Sequence, residues 1–590
     1  MSRLLRFGKK KWQVGVLILV SILACWIYYY PIIHSGNNLG IQDWDQNLAW
    51  TENTRISLLD YHQFPLWNPY KCGGSVQFAN PQIPVISFQT IFALLLGTLK
   101  GVEFSIFFHG VIGFIGFYFL AKQYKISKLG SLLAAILFSF SGITGSFLSS
   151  GMLVFTSFAY TPYILICFNK SLDRKKWGLV SGLLFAFSFY AGYHISFLLG
   201  VYILIYAVAT SIVKRTFTPL KALLVMVGSA TLLILPKLIL SYQLLRDFPR
   251  VMNDDSGFSL QNFFYFLLSQ KQNLFNQMNV SGYKFEIDEN SVYVGILSFA
   301  FFLLYFVLNK KGIKENLALL ITMLIVFWLM LGNVIQPSVY ALLKHLPVFS
   351  SFRVAQRFRF DFIIPVAILA GLGLDNARRL VNKQKLAWIL PILCILIIFI
   401  DLTIFSSANF LSKTLIIGNP ESTLSRGIAF SQTALRSPDF EVQRTISLPN
   451  ELLDAKFFLP RSYEYLKIKQ NKGVLDCYDS ITTSTAAVGV EDQQYRGEFY
   501  LLSPVQDVQV ENTFWSPNQL VYKITNPRKA VNDTLVINQN YYPGWIVRTG
   551  PFSCEKTIKQ RGLLATRLNS SAGTITLEFN PLLLYLRCRY

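Results

Sequence analysis

Two carboxylates, Asp43 and Asp45, flank a tryptophan in the run Gly40-Ile-Gln-Asp43-Trp-Asp45-Gln46, directly after the first apolar stretch of the chain. A partly desolvated carboxylate in that position can take a proton as a general base or hold a cation. It can equally cap the helix that the residues up to about Asp60 are able to form, by accepting hydrogen bonds from the first free amides. Spacing does not choose between these roles. Farther on, Phe64-Pro-Leu-Trp67-Asn-Pro-Tyr70-Lys-Cys-Gly73-Gly74 reads as a rigid turn, with Trp67 as an interfacial aromatic anchor.

Three other places carry residue types suited to chemistry. Glu286, Asp288, Glu289 and Asn290 precede an apolar run that starts near Ser291. They are able to accept sugar hydroxyls or a divalent ion, although acids before a helix also complement its dipole. Arg353 and Arg357 stand four residues apart, so a helical segment would place both on one face. Their planar forks match phosphate oxygens, and the alternative is contact with lipid head groups. Lys237 lies near the end of an apolar run, where it is expected to snorkel to the interface. The five histidines, His34, His62, His109, His194 and His345, have no ligand-like spacing and receive no role.

The elements that position these residues follow from composition. Of 590 residues, 52% are hydrophobic and only 15% charged, with mean hydropathy +0.40, whereas a soluble chain carries roughly 25% charged residues. A single water-soluble globule is excluded. Apolar runs long enough to suggest bilayer crossings fall at residues 12–33, 103–121, 129–148, 152–169, 177–192, 195–212, 219–240, 291–308, 317–335, 361–374 and 386–406. This predicts a polytopic α-helical membrane domain of about eleven spans. The apolar stretch 84–97 is too short for a twelfth and reads as an interfacial or re-entrant helix.

Charge orients the spans. The net charge is +22, and the gaps 1–11, 122–128, 170–176, 213–221, 309–316 and 375–385 hold 22 Lys/Arg against three acids. That bias is a positive-inside signal and removes nucleic acid as an explanation. The N-terminal run is too long for a signal-peptide core and lacks a small-residue cleavage site, so it reads as an uncleaved first span with a cytoplasmic N-terminus. Loops 34–84, 241–290 and 336–360 then lie outside, and eleven spans put the C-terminus outside too.

Residues 409–590 change character, alternating as in Thr534-Leu-Val-Ile-Asn538 and Gly573-Thr-Ile-Thr-Leu-Glu-Phe579. They predict a β-rich, sandwich-like extracytoplasmic domain after a membrane domain over 1–408. The cysteines are single, with no zinc-like pair. Cys25, Cys167 and Cys394 suit inert packing. Cys477, Cys554 and Cys588 lie where an oxidising compartment permits one disulfide.

Taken together, Asp43-x-x-Gln46, Pro65-Leu-Trp67-Asn-Pro-Tyr, Gly73-Gly74, Ala79-Asn-Pro81-Gln82, Glu289-Asn-x-x-Tyr293-Val-Gly295, Phe352-Arg-Val-Ala-Gln-Arg357-Phe, Leu369-Ala-Gly371-Leu-Gly373-Leu-Asp375 and Tyr541-Tyr-Pro-Gly544-Trp545 resemble the YfhO-like family of bacterial membrane proteins, within the wider GT-C class of polytopic glycosyltransferases. The resemblance spans nearly the whole chain. It departs at Ala355, where proline is expected in the arginine motif.

The resemblance implies transfer of a sugar from a polyprenyl-phosphate carrier to an acceptor, a cell-envelope glycan or polymer, outside the cytoplasmic membrane. It places the catalytic carboxylate on Asp43, with Asp45 as rival. Lipid phosphate contacts fall on Arg353 and Arg357, and Gln46, Trp67 and Glu289 join them as substrate-binding residues. The metal is unassigned; a divalent cation such as Mg2+ or Mn2+ would share the phosphate charge with the arginines. A lipid-linked saccharide transporter, a non-catalytic envelope scaffold and a ligase or polymerase of surface glycans are the competing readings. Kinship of fold warrants reaction class alone.

Overall fold

The computed structural model describes residues 2–34, 43–248, 257–272, 289–346, 349–352, 354–411, 464–469, 471–475, 486–489, 492–503, 506–549, 554–568 and 573–581. The chain forms two compact units. Residues 1–36, 103–235 and 251–415 make the first; residues 37–102, 236–250 and 416–590 make the second.

The first unit is helical. Among the described residues of the whole chain, five helices are long and apolar enough to cross a bilayer: Thr98–Gln123, Lys128–Ser149, Tyr193–Lys214, Thr218–Asp247 and Leu386–Asn409. Trp12–Tyr28, Ile296–Leu308 and Leu317–Met330 are apolar but shorter. Helix falls in each of the eleven apolar stretches, and five of these helices have by themselves the length and hydropathy of a bilayer crossing.

Helix Arg359–Arg379 is buried along most of its length. Small residues let its neighbours approach. A Cβ on Gly373 would stand 1.8 Å from the carbonyl oxygen of Phe301, and one on Gly371 would stand 2.6 Å from that of Gly130. Two turns of one helix therefore receive backbone from two others, a packing that only small residues permit. Asp375, at the end of the same motif, accepts from the backbone N–H of Ser127 at 2.6 Å and from its hydroxyl. The Leu369–Asp375 segment is thus a helix-packing device.

The second unit joins the loop after the first apolar helix to the C-terminal strands, although the sequence assigns that loop to the membrane domain. Helix Asp43–Leu59 is followed by the two-residue strands β1 (Trp67–Asn68) and β2 (Ser75–Val76) and by helix Phe88–Leu96. That last helix has nine residues, is capped by Ser87 accepting from the Thr90 amide, and exposes Ile91, Leu95 and Leu96. Nine residues cannot cross a bilayer.

The C-terminal strands form two antiparallel sheets. One orders β3 (Phe499–Leu501), β6 (Thr534–Asn540), β10 (Leu563–Arg567) and β9 (Ile558–Gln560) as β3-β6-β10-β9. The other orders β4 (Val510–Ser516), β5 (Gln519–Ile524), β11 (Thr574–Phe579), β7 (Trp545–Arg548) and β8 (Cys554–Lys556) as β4-β5-β11-β7-β8. The period of two is visible in β5, where Leu520, Tyr522 and Ile524 are buried and Lys523 is exposed. Ala487, Val536, Leu563 and Ala565 close a core on the first sheet.

Gly373→Leu is expected to destabilise the helical unit by about 3 kcal/mol, since the added side chain has no space beside the Phe301 carbonyl. Thermal unfolding in detergent checks this; an unchanged midpoint would contradict the packing.

Candidate functional site

Helix Asp43–Leu59 reads DWDQNLAWTENTRISLL, with no apolar stripe, yet 13 of its 17 residues are buried. Burial on that scale demands partners for each polar side chain. Thr51, Thr54 and Ser57 return their hydroxyls to carbonyls one turn back. Gln77 donates to the Trp50 carbonyl and the Thr54 hydroxyl, and Gln89 donates to the Thr51 hydroxyl. Glu52 accepts from Arg55 at 3.0 and 3.1 Å and from the Thr98 hydroxyl, with Lys469 at 3.6 Å.

The two candidate bases differ sharply. Neither caps the start of this helix from outside it; both sit within its first turn. Asp45 is buried, and its two oxygens accept the backbone N–H groups of Glu464 at 2.8 Å and Tyr465 at 3.0 Å. It anchors the start of helix Glu464–Lys469, some four hundred residues away in sequence. Burial, with the Glu464 carboxylate beside it, pushes the Asp45 carboxyl up to about 8, against the pull of the two amides and Lys71. Lys71, also buried, donates to both oxygens of Glu464 at 3.1 Å and lies 5.2 Å from the Trp50 ring. Asp43 is only half-buried. Gln46 is buried in the same turn.

Trp67 is not an interfacial anchor. It is 1% exposed, donates its indole N–H to Gln539 at 3.0 Å, and packs against Phe579 and Trp545 at ring distances of 4.8 and 5.6 Å. The Gly73-Gly74 pair follows from that placement: a Cβ on Gly74, at φ +104°, would stand 2.7 Å from the Trp67 ring. Asn540 of β6 donates to the carbonyls of Cys72 and Gly74. Cys72 and Cys554 each take part in a disulfide. Cys72 was not among the cysteines expected to pair; Cys477 and Cys588 lie outside the described residues, and Cys25, Cys167 and Cys394 are free thiols.

Lys237 does not snorkel. It is fully buried and donates to the Ile83 carbonyl at 2.8 Å, while Ser241, one turn on, donates to the Ala79 carbonyl at 2.8 Å. These bonds hold the Ala79-Asn-Pro-Gln82 motif against helix Thr218–Asp247.

In the first unit the remaining motifs converge. The buried Ala355 opens the 3-10 turn Ala355–Phe358, and Arg357 is the third residue of that turn. Its Nε donates to Glu289 at 3.0 Å and its Nη2 donates to the other carboxylate oxygen, while its guanidinium lies 5.2 Å from the Phe155 ring. Glu289 therefore answers an arginine rather than a helix dipole, since the helix after it starts only at Ile296. Arg359, fully buried, donates to the Ser291 carbonyl at 3.1 Å. Arg353, Glu286 and Asp288 lie outside the described residues. Sequence reasoning missed Asp401, which accepts from Tyr293 at 2.9 and 3.0 Å and from Gln270 at 3.0 Å. An aspartate inside an apolar helix was the available signal.

The family model of bacterial membrane protein YfhO matches residues 102–432, more than half of the chain and through both arginine and glutamate motifs. The chain belongs to the YfhO family. No curated protein matches this YfhO-family chain. Among solved structures it is similar to the arabinofuranosyltransferase AftD from Mycobacteria, at 13% identity and TM-score 0.47, over 68% of this chain and 27% of that one. It is also similar to an Archaeoglobus fulgidus oligosaccharyltransferase solved with Zn and sulfate, at 12% identity and TM-score 0.37, over 67% of this chain and 53% of that one. It thus spans about a quarter and about half of their lengths. No three His, Cys, Asp or Glu side chains that could hold a metal ion come together among the described residues.

Arg357→Met should destabilise this YfhO-family protein by about 3–5 kcal/mol, because Glu289 is left charged and buried. The Arg357→Met/Glu289→Leu double variant should recover most of that loss in thermal unfolding; an additive double variant would contradict the pair. The Asp45 carboxyl, raised above its unfolded value, contributes stability below about pH 4 that is lost as pH rises through about 8. The melting temperature of the wild type relative to Asp45→Asn is therefore expected to narrow between pH 5.5 and 8.5. A gap that widens over that range would contradict the burial argument.

Proposed function

We propose that the chain is a GT-C-type membrane glycosyltransferase that moves a sugar from a polyprenyl-phosphate donor to a glycan or polymer of the cell envelope, with Asp43 as general base. The observation that carries this reading is the unequal burial of the two first-loop carboxyl groups. Asp45 is consumed by backbone amides. Asp43, two residues earlier on a helix otherwise enclosed in hydrogen bonds, keeps part of its surface open. A base needs that access together with a rigid support.

In this reading Asp43 takes the proton of an acceptor hydroxyl while that oxygen bonds to the anomeric carbon. The bond from that carbon to the phosphate oxygen breaks with oxocarbenium character, and its electron pair leaves with the polyprenyl phosphate. Arg357, with Arg353, is assigned to the phosphate charge. Glu289 holds the Nε and Nη2 edge of that guanidinium and so fixes its orientation toward the donor. Disulfides at Cys72 and Cys554 favour an oxidising compartment for the first loop and the C-terminal sheets. That agrees with eleven spans and a cytoplasmic N-terminus.

The test is release of polyprenyl phosphate by protein reconstituted in lipid with a panel of polyprenyl-phosphate sugars and candidate acceptors. Asp43→Asn should lower release by about 10²–10⁴-fold while Asp45→Asn keeps transfer within about tenfold. The reverse pattern would move the base to Asp45. No release by folded wild type from any donor would overturn the reading.

A further inference from the structure

The segment Glu289–Gly295 is not regular structure, yet Glu289 through Val294 are all buried. A backbone of that kind stays in one register only where its groups are tied to neighbours. Besides the Glu289–Arg357 pair, four ties stand among the described residues, all within the helical unit. The Tyr293 carbonyl accepts from Gly142 N–H at 2.8 Å, where the helix over 128–149 breaks at Ser141. The Val294 N–H donates to the Leu267 carbonyl at 3.1 Å, and Arg359 donates to the Ser291 carbonyl at 3.1 Å.

The fourth tie is a side chain. The Tyr293 hydroxyl donates to Asp401 with both oxygens within 3.0 Å, and its ring stacks on Phe405 at 3.8 Å, one turn along the same helix. Gln270 donates to the same carboxylate, and its own carbonyl accepts from Asn409 at 3.0 Å. Gly295, at φ +79°, leaves room for the carboxylate: a Cβ there would stand 2.4 Å from Asp401 Oδ2. Helix Leu386–Asn409 thus presents Asp401, Phe405 and Asn409 along one side, each fixing the segment or its neighbour.

We infer that Asp401 is a positioning residue for Arg357: through Tyr293 it sets the register of residues 289–295 and so holds Glu289 where it orients the guanidinium for the donor phosphate. This rests on the donor reading above. Asp401 is not assigned any contact with substrate. Its effect passes through a segment whose one end grips Asp401 and whose other end grips Arg357. Donor recognition is then expected to depend on Asp401, while the chemical step does not. Hydrogen bonds to a charged acceptor exceed neutral ones in strength, so loss of the charge loosens the tie without emptying the site.

The experiment compares Asp401→Asn, Tyr293→Phe and the double variant with wild type in lipid, using two readouts. Hydrogen exchange is followed in peptides covering 289–295 and 354–359, with β6 as an internal reference. Each single variant should exchange about tenfold faster in both peptides, the double variant no faster than either, and β6 should be unchanged. Unchanged exchange at 354–359 would overturn the inference, and faster exchange that includes β6 would mark global unfolding of Asp401→Asn, in which case Tyr293→Phe decides. In the transfer assay KM for the polyprenyl-phosphate sugar should rise about tenfold with kcat within about twofold. Loosened exchange with an unmoved KM would reduce Asp401 to a fold residue and overturn the inference. Should wild type transfer from no donor, the glycosyltransferase reading falls, and binding of undecaprenyl phosphate by wild type and Asp401→Asn takes the place of KM: about tenfold weaker binding by the variant sustains the inference, and equal binding overturns it.

Discussion

A carboxylate taken out of water must be given hydrogen-bond donors, and for Asp45 those donors are two backbone amides from the far end of the chain. The consequence reaches well beyond the pair. With Lys71 bound to Glu464, Tyr70 accepting from the Val474 N–H, Gly73 donating to the Val474 carbonyl, and Trp67 enclosed by residues of β6, β7 and β11, the first loop has no core of its own. It is one folded unit with the C-terminal sheets. The half-buried Asp43 stands in the first turn of the helix that carries Asp45.

The helical unit solves a related problem by other means. Among its buried charged side chains, Arg357 and Glu289 meet each other, Arg359 meets a backbone carbonyl and Asp375 meets Ser127. Ion pairs out of water repay their desolvation only with good geometry, and the fork of Arg357 on Glu289 supplies it. The glycines and small residues of the Leu369–Asp375 segment bring helix backbones close enough for the bundle to hold that pair. Packing and polar satisfaction therefore act together: neither motif would place Arg357 without the other.

Periodicity and run length made much of the fold legible. The apolar runs became helices, and the alternating stretches after Leu411 became antiparallel strands, because both patterns are local. What sequence could not show is which distant residue answers each polar side chain. Trp67 looks like an interfacial anchor until Gln539 and Trp545 are placed around it, and Lys237 looks like a snorkelling cation until the Ile83 carbonyl is found above it. Glu289 looks like a helix-start acid until Arg357 meets it. The same limit hid Asp401, whose partners Gln270 and Tyr293 lie more than a hundred residues away. The residue types were readable; their pairing was a property of the folded chain.

The central claim, that the first loop and the C-terminal sheets fold as one unit, is tested most directly by native-state hydrogen exchange of the full protein in lipid. The amides of Asp43–Leu59 and of β6 should open with the same free energy and the same denaturant dependence. Exchange of the helix at a much lower free energy, while β6 stays protected, would show the loop opening by itself and contradict the account.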